Sequence, residues 1–375
     1  AATVAAMSST ETPAASETAP APDTEVPTEA VPLTLKVVYV DGFRNLWAWS
    51  EGSLPRQLTS SADVVSGKIS PDGSQIVFIR SADFINQDIY AINFDGTSER
   101  LLLSAADLGA LPRTDPSALT LGVNQLEWIP GSSQLALSTR LVYDGPGLSL
   151  NRDLWIIDAA SGTRTNRIPA GSGGMFYYSP DGSQIAITTP TNISIMNADG
   201  SNVRLNVLTY PFINTASEYA WHAMPQWAAD SSRMRVVIPP AEPFGSPLAP
   251  TAIWDIPVSG SPVTKLGEFT AAFMNSEISP DLQRTLYLKP TADPNLNELH
   301  IYNLDGSGDT NVATGMFNSR GWSPDSARYA LAQFTPDAAY YGQVGGGISA
   351  IPGVSNMLAT KWVDGDRLVL FSNTP

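Results

Sequence analysis

The heptapeptide Ser-Pro-Asp-Gly-Ser-Gln-Ile occurs twice in this chain, at residues 70–76 and 179–185. Five weaker copies keep its turn-forming character, so that seven landmarks begin at residues 70, 129, 179, 228, 279, 323 and about 363. Short strand-like segments lie between them. A repeat of roughly 40–50 residues made of short strands is typical of radially arranged blades rather than of a helical solenoid. The repeat therefore predicts an all-β propeller.

Each blade is predicted to contain four antiparallel strands, named a to d from the axis outward. The clearest unit contains Val64–Ile69, the Ser-Pro-Asp-Gly turn, Gln75–Ile79, Asp88–Asn93, an Asp-Gly turn and Arg100–Leu102. Its strands mix β-branched and aromatic residues, as expected for sheets buried on both faces. The 29 Gly and 30 Pro residues suit many tight turns.

The two ends of the chain decide the number of blades. The last strands, Leu358–Trp362 and Arg367–Phe371, match a and b, while the first segments, Asn45–Trp49 and Arg56–Thr59, match c and d. Pairing the two ends would complete a blade without a free sheet edge. We therefore predict seven blades, one shared by both termini. Because Lys36–Val40 and Arg367–Phe371 both match strand b, six or eight blades remain alternatives.

Residues 1–33 differ in composition from the rest of the chain. They contain nine Ala, six Thr and five Pro, and they lack basic and aromatic residues. Such a segment buries too little apolar surface to offset its ordering entropy. We interpret it as an extended tail or linker ahead of a propeller spanning residues 34–375. It is either a flexible spacer or a peptide that orders against a partner, including a second copy of this chain.

Composition excludes several classes of function. The 36 acidic residues outnumber the 21 basic ones, for a net charge of −15, which argues against a nucleic-acid surface. The absence of cysteine excludes disulfides, thiolate metal sites and a cysteine nucleophile. No apolar run reaches the ~18–20 residues needed to cross a bilayer. No cofactor is expected.

Few of the titratable residues suggest a catalytic or metal-binding role. We interpret the recurring Asp residues as turn formers rather than calcium ligands, because tight turns need the same residue type; they are Asp72, Asp95, Asp181, Asp199 and Asp305. The two histidines, His222 and His300, are interpreted as packing residues. Inner strands offer two carboxylates, Glu127 and Glu277, without an obvious partner for the close pair that glycoside cleavage uses.

Loop length indicates a binding face. In a propeller the b–c and d–a connections share one face, and here they contain the long insertions 104–117, 141–151, 209–219, 239–250 and 335–347. Long aromatic loops held by a rigid scaffold are typical binding elements. The predicted partner-binding rim consists of Tyr143, Tyr210, Phe212, Tyr219, Phe244, Tyr340 and Tyr341. The alternative is that these rings fill the channel or cover blade edges.

The Ser-Pro-Asp-Gly turns, followed by strands that end in Asn-x-Asp-Gly, resemble the WD40-like repeat called PD40, best known from the C-terminal propeller of the TolB family. The resemblance covers about residues 35–372 and implies the fold. TolB has an α/β domain before a six-bladed propeller, whereas this chain has a polar tail and seven landmarks. Similar propellers precede the hydrolase domain of prolyl-oligopeptidase-type enzymes, but no Gly-x-Ser-x-Gly elbow with an α/β pattern occurs here.

We expect a non-catalytic propeller, exported to the periplasm or cell surface, that serves as a protein-interaction or structural scaffold. It would be a subunit of a homomeric assembly or of a larger complex, with no nucleic-acid partner. The alternatives are an exported carbohydrate-active or other hydrolytic propeller enzyme and a periplasmic ligand-binding propeller.

Overall fold

The computed structural model describes residues 34–372, apart from residues 146–148, 273–275, 294, 335 and 355–356. The predicted tail, residues 1–33, lies outside the described residues. The described part of the chain contains one short helix, α1 (Ala105–Gly109), and otherwise folds into antiparallel sheets. They form the predicted seven-bladed propeller. None of its described helices is long and apolar enough to span a membrane.

Six blades are continuous in sequence. Blade 2 contains β4 (Val64–Ile69), β5 (Gln75–Arg80), β6 (Asp88–Asn93) and β7 (Arg100–Leu103). Blade 3 contains β8 (Thr120–Trp128), β9 (Gln134–Val142), the short β10 (Ser149–Leu150), β11 (Leu154–Asp158) and β12 (Arg164–Ile168). Blade 4 contains β13 (Met175–Tyr178), β14 (Gln184–Thr188), β15 (Asn192–Asn197) and β16 (Arg204–Thr209).

The next three blades repeat this order. Blade 5 contains β17 (Gln226–Trp227), β18 (Arg233–Ile238), β19 (Thr251–Pro257) and β20 (Thr264–Phe269). Blade 6 contains β21 (Ser276–Ile278), β22 (Arg284–Pro290), β23 (Asn297–Asn303) and β24 (Asp309–Gly315). Blade 7 contains β25 (Phe317–Trp322), β26 (Arg328–Phe334), β27 (Asp337–Gln343) and β28 (Ile348–Ala350).

Both ends of the chain occupy the remaining position, blade 1. The N-terminal group is β1 (Lys36–Val40), β2 (Leu46–Ser50) and β3 (Arg56–Gln57), and the C-terminal group is β29 (Met357–Trp362) and β30 (Leu368–Ser372). The predicted ladder between these groups is not found among the described residues, because β1 pairs with β2 and β30 pairs with β29.

Side chains join the two groups of blade 1 instead. The rings of Tyr39 and Phe371 lie 6.3 Å apart, and Arg367 forms an ion pair of 3.3 Å with Glu51. The sequence ambiguity over strand b has a structural counterpart, since β1 and β30 are both present and each completes its own hairpin. Blade 1 is therefore closed by side-chain contacts.

Apolar side chains fill the space between neighbouring sheets. Ile193 and Ile195 of blade 4 pack in one cluster with Met234 and Val236 of blade 5. Leu46 of β2 packs likewise on blade 2, where a Cβ added to Gly67 would lie 2.7 Å from a Leu46 methyl group. Close-packed cores have no room for that extra atom, so glycine at position 67 lets blade 1 approach.

Tryptophans join the first strands of neighbouring blades. A tryptophan at the end of a first strand donates its indole N–H to a carbonyl oxygen of the preceding blade's first strand; the four pairs are Trp128 to Lys68 (3.0 Å), Trp227 to Tyr177 (3.2 Å), Trp322 to Glu277 (3.0 Å) and Trp362 to Gly321 (3.0 Å). First strands therefore converge on the axis. We call these bonds the inner tryptophan links.

Arginines join the outer strands in a comparable way. An arginine on a fourth strand donates to a carbonyl oxygen in the c–d turn of the next blade: Arg56 to Phe94 (2.6 Å), Arg100 to Ala159 (2.6 Å), Arg204 to Val258 (2.5 Å) and Arg167 to Asp199. Each carbonyl receives a charge-assisted hydrogen bond, which is stronger than a neutral one.

The Ser-Pro-Asp turns are closed by their own side chains, as predicted. The Ser70 hydroxyl donates to Asp72 at 2.5 Å and accepts the Gln75 N–H at 2.9 Å. Ser179 and Asp181 repeat this arrangement. Hydrogen bonds from the serines, led by those from Ser70 and Ser179, lower the pKa of both Asp72 and Asp181 to about 2.

Replacing Trp322 by Phe tests the inner tryptophan links. The change keeps the ring apolar but leaves the carbonyl oxygen of Glu277 without its indole donor, so the free energy of unfolding should fall by about 1–3 kcal/mol in urea denaturation. Trp49→Phe is the control, because Trp49 donates to the Ser53 carbonyl oxygen, in the turn that follows its own strand β2. Equal losses of unfolding free energy in the two variants would show that the inner tryptophan links do not stabilise the packing of neighbouring blades.

The turn acids predict a pH dependence of stability. Their folded pKa of about 2 lies below the unfolded value of about 3.9, so the unfolded chain takes up protons first as pH falls. Stability should therefore be complete above about pH 5 and be lost progressively towards pH 2. Asp72→Asn combined with Asp181→Asn should flatten this decline in thermal melts, whereas Asp144→Asn, a change at an exposed acid elsewhere, should not.

Candidate functional site

Each inner strand of blades 2–6 contributes one residue at an equivalent position in the register of its sheet. Its backbone lies opposite the third residue of the following strand, as in Lys68 with Val77 or Glu127 with Ala136. The equivalent side chains, which we call the axial ring, are Lys68, Glu127, Tyr177, Gln226, Glu277 and Lys361. In blade 7 the position is Gly321, next to a break in register.

The two carboxylates of the axial ring have different surroundings. Glu127 forms an ion pair with Lys68, and both side chains are about half exposed. Glu277 accepts a hydrogen bond from the Ser319 hydroxyl and is half-buried. Burial raises the pKa of Glu277, against hydrogen bonds from Ser319 and the Gly321 backbone that lower it. The ring therefore combines an ion-paired carboxylate with one whose pKa is raised by burial.

A cleft of about 410 Å³ lies along the inner strands of blades 3, 4 and 5, next to Glu127. Its polar lining includes Gln125, Glu127 and Gln226, and its aromatic lining is Trp128, Phe176, Tyr177, Tyr178 and Trp227. The Gln125 side chain spans two blades, since it accepts the Phe176 N–H at 2.9 Å and donates to the Phe176 carbonyl at 3.2 Å. Apolar walls with a few fixed polar groups are typical of small-molecule sites.

The two histidines lie apart from each other and from the axial ring. His300 is buried on β23, with Nδ1 2.7 Å from Asp309 and Nε2 3.1 Å from Glu298, and Tyr287 donates to the same Asp309. His222 lies 3.2 Å from the Thr188 carbonyl, and burial lowers its pKa. Among the described residues, no group of three or more His, Asp or Glu side chains could hold a metal ion.

The predicted rim aromatics do not form one surface. Tyr210 is only 8% exposed, and its hydroxyl donates to the Thr189 carbonyl at 2.6 Å. Tyr143 is half-buried and donates to Asp115. Phe212 and Phe244 are each 57% exposed, and Tyr219 is 46% exposed. A binding role for the exposed aromatics stays a prediction.

The segment 335–347, predicted to be a long loop, is mostly strand. β27 pairs with β26 over its whole length, from Arg328 with Gln343 to Phe334 with Asp337. Tyr340 and Tyr341 therefore belong to a sheet, where Tyr340 packs 5.8 Å from the Phe317 ring. The turn after this strand uses Gly345 at φ 76° instead of Asp-Gly, which explains why the strand pattern was missed.

Sequence reasoning also missed four members of the axial ring. Lys68, Tyr177, Gln226 and Lys361 each precede the last residue of an inner strand. Superimposing the seven landmark turns brings these positions into one column and would have found them. The prediction considered single residue types rather than equivalent positions across repeats.

No protein-family model matches this chain, and neither does any curated protein sequence. Among solved structures, an oligogalacturonate lyase in complex with manganese superimposes with a TM-score of 0.55 at 15% identity, covering 85% of this chain and 86% of its own. A prolyl endopeptidase reaches 0.54 at 12% identity, over 82% of this chain and 46% of its own. TolB from Acinetobacter baumannii gives 0.40 at 15% identity, over 73% and 62%.

These comparisons correct the expected function. A non-catalytic scaffold and no enzyme were expected, but the solved structures that superimpose on this chain with TM-scores of 0.54 and 0.55 are those of enzymes, including a lyase matched over most of both chains. The finding favours the carbohydrate-active or hydrolytic alternative over the scaffold. At 15% identity the similarity establishes the fold alone.

Tyr210 and Phe212 should respond differently to substitution. Tyr210→Phe removes the donor to the buried Thr189 carbonyl and should lower the free energy of unfolding by about 1–3 kcal/mol. Phe212→Ala removes an exposed ring and should change it by less than about 0.5 kcal/mol. Urea denaturation of both variants measures the difference. A large loss for Phe212→Ala alone would show that the ring packs in solution.

Proposed function

We propose that this protein is a carbohydrate-active enzyme that cleaves glycosidic bonds at the axial ring. The observation that carries the proposal is the contrast between Glu127 and Glu277, which occupy equivalent positions on the inner strands of blades 3 and 6. Pairs of titratable groups in contrasting environments are the usual sign of an acid and its partner base. The saccharide class is supported by the similarity to an oligogalacturonate lyase.

Glu277 is the proton donor in this proposal. Its raised pKa keeps a proton available at higher pH than an ordinary glutamic acid. The proton passes to the glycosidic oxygen as that oxygen leaves the anomeric carbon. The Ser319 hydroxyl holds the carboxyl group in position and stabilises the carboxylate that remains.

Glu127 is the base. Its ion pair with Lys68 holds the carboxylate in place, where it takes a proton from a water molecule as the water oxygen bonds to the anomeric carbon. Blades 4 and 5 lie between Glu127 and Glu277. Because the water molecule attacks the anomeric carbon directly in this proposal, hydrolysis inverts the anomeric configuration.

The cleft supplies the sugar-binding surface. Tyr177 and Trp128 offer half-buried ring faces, and Gln226 offers an amide for sugar hydroxyl groups. The described residues do not fit a manganese site like the one named for the lyase, because no suitable group of ligands occurs among them. No step of the proposed reaction passes through a metal. Export to the periplasm or cell surface stays a prediction.

The test is cleavage of a panel of neutral and uronate oligosaccharides, followed by reducing-end release. At least one substrate should be cleaved, and Glu277→Gln and Glu127→Gln should each lower kcat by ~10²-fold or more. Glu99→Gln is the matched control, since Glu99 pairs with Arg80 outside the axial ring. With the wild-type enzyme, activity should fall as pH rises through the raised pKa of Glu277, which is higher than that of an ordinary glutamic acid.

Three results would contradict the proposal. Full activity of Glu277→Gln would show that Glu277 is not the acid. An unsaturated product, detected by ultraviolet absorbance, would show that the bond is cleaved by elimination and not by hydrolysis. Saturable saccharide binding without turnover of any substrate in the panel would favour a ligand-binding propeller.

A further inference from the structure

A second cavity lies at the outer side of the propeller, away from the axial ring. This groove has a volume of about 380 Å³ and is bordered by β12 of blade 3 and by β15 and β16 of blade 4. Its apolar lining is Ile168, Pro169, Ile187, Ile195, Met196, Val203 and Leu205. At roughly 30 Å³ for a water-sized group, it has room for on the order of a dozen such groups.

An irregular outer strand borders the groove. Between Ile193 and Ile195 the partner residue changes from Leu208 to Arg204, a step of four residues. The equivalent step in blade 2, from Ile89 to Ala91, moves the partner by three, from Leu103 to Arg100. The additional residue bulges out of the ladder.

The bulge is held in place locally. Asn206 adopts a left-handed φ of 54°, and its N–H donates to the Ser194 hydroxyl at 3.0 Å instead of to a backbone carbonyl. Leu205, beside it, is 73% exposed at the groove. A bulge changes the direction of the side chains around it, and this bulge leaves the Leu205 side chain exposed at the edge of the groove.

The polar lining of the groove is cationic. Arg152 and Arg167 both line it, and none of the described lining residues is an Asp or Glu, although acidic residues dominate the chain as a whole. Neither arginine has an ion-pair partner among the described residues.

Both guanidinium groups have unused donors. Arg152 is exposed; its Nε donates to the Gly173 carbonyl at 2.9 Å, and its terminal nitrogens face solvent, with no acceptor among the described residues. Arg167 donates through Nη1 to Asp199, while its Nε is buried without a hydrogen-bond partner in the described part of the chain. Buried donors of this kind are normally satisfied. A guanidinium group with free donors is suited to bind a carboxylate in a two-pronged manner.

We propose that this groove binds a small amphiphilic carboxylate. The carboxylate lies at the free nitrogens of Arg152, and the apolar body lies along Ile195, Met196 and Leu205. Charge complementarity selects the anion, and the volume limits the ligand to about a dozen heavy atoms. The site is independent of the axial ring and of the proposed cleavage reaction.

Calorimetric titration of the full chain with decanoate tests the proposal. Decanoate should bind with one-to-one stoichiometry below its micellar concentration. Decanol, which has the apolar chain without the charge, and acetate, which has the charge without the chain, should each bind at least about tenfold more weakly. Decyltrimethylammonium should not bind, because the groove is cationic.

Variants assign the binding to this groove. Arg152→Gln should weaken decanoate binding by about tenfold or more, and Leu205→Asp, a change at an exposed position, should weaken it through charge repulsion. Arg233→Gln, which alters a half-exposed arginine in blade 5, should have no effect. Thermal melts should show that all three variants remain folded.

The proposal is overturned if decanol or decyltrimethylammonium binds as tightly as decanoate. It is also overturned if folded Arg152→Gln and Leu205→Asp bind decanoate normally, or if several decanoate molecules bind without saturation. None of these outcomes depends on whether the axial ring cleaves saccharides.

Discussion

The hydrogen bond from an inner-strand tryptophan to the carbonyl oxygen of the preceding blade is the contact on which the propeller depends. Sheets in a propeller share no ladder, so each blade edge at the axis would otherwise present unpaired backbone groups. The indole N–H satisfies one such group and its ring fills the adjacent space, as Trp227 does beside Tyr177. The outer arginines repeat this at the rim, so that neighbouring blades are fixed at two radii.

The same constraint creates the candidate site. Once Trp128 and Trp227 are turned towards the preceding blades, the residues before them, Glu127 and Gln226, are left at the channel. A strand presents alternate side chains to opposite sides, so the structural residue and the channel residue necessarily adjoin in sequence. The architecture thus fixes the height of the axial ring, while the choice of residue at each position sets its chemistry.

The sequence predicted architecture better than it predicted chemistry. The turns at Asp72 and Asp181 could be predicted because the residues that form their hydrogen bonds all lie within the repeated heptapeptide. The burial of Tyr210 depends on Trp221, which packs against it from a later part of the same connection, and residue type alone does not show it. The two carboxylates were found, but the partners Lys68 and Ser319 come from other blades, at separations that no local pattern reveals.

The side-chain contacts between the two ends of the chain give the propeller one joint unlike the rest. An exposed ion pair contributes little in water and is weakened by salt, so the joint between Glu51 and Arg367 relies mainly on the aromatic contact of Tyr39 with Phe371. Separating this joint parts the two strand groups of blade 1 and leaves blades 2 to 7 packed on one another. Local opening should therefore begin at β29 and β30 and spread round the circle. Opening of the ring is then controlled by the contact where the first and last strands of the chain meet.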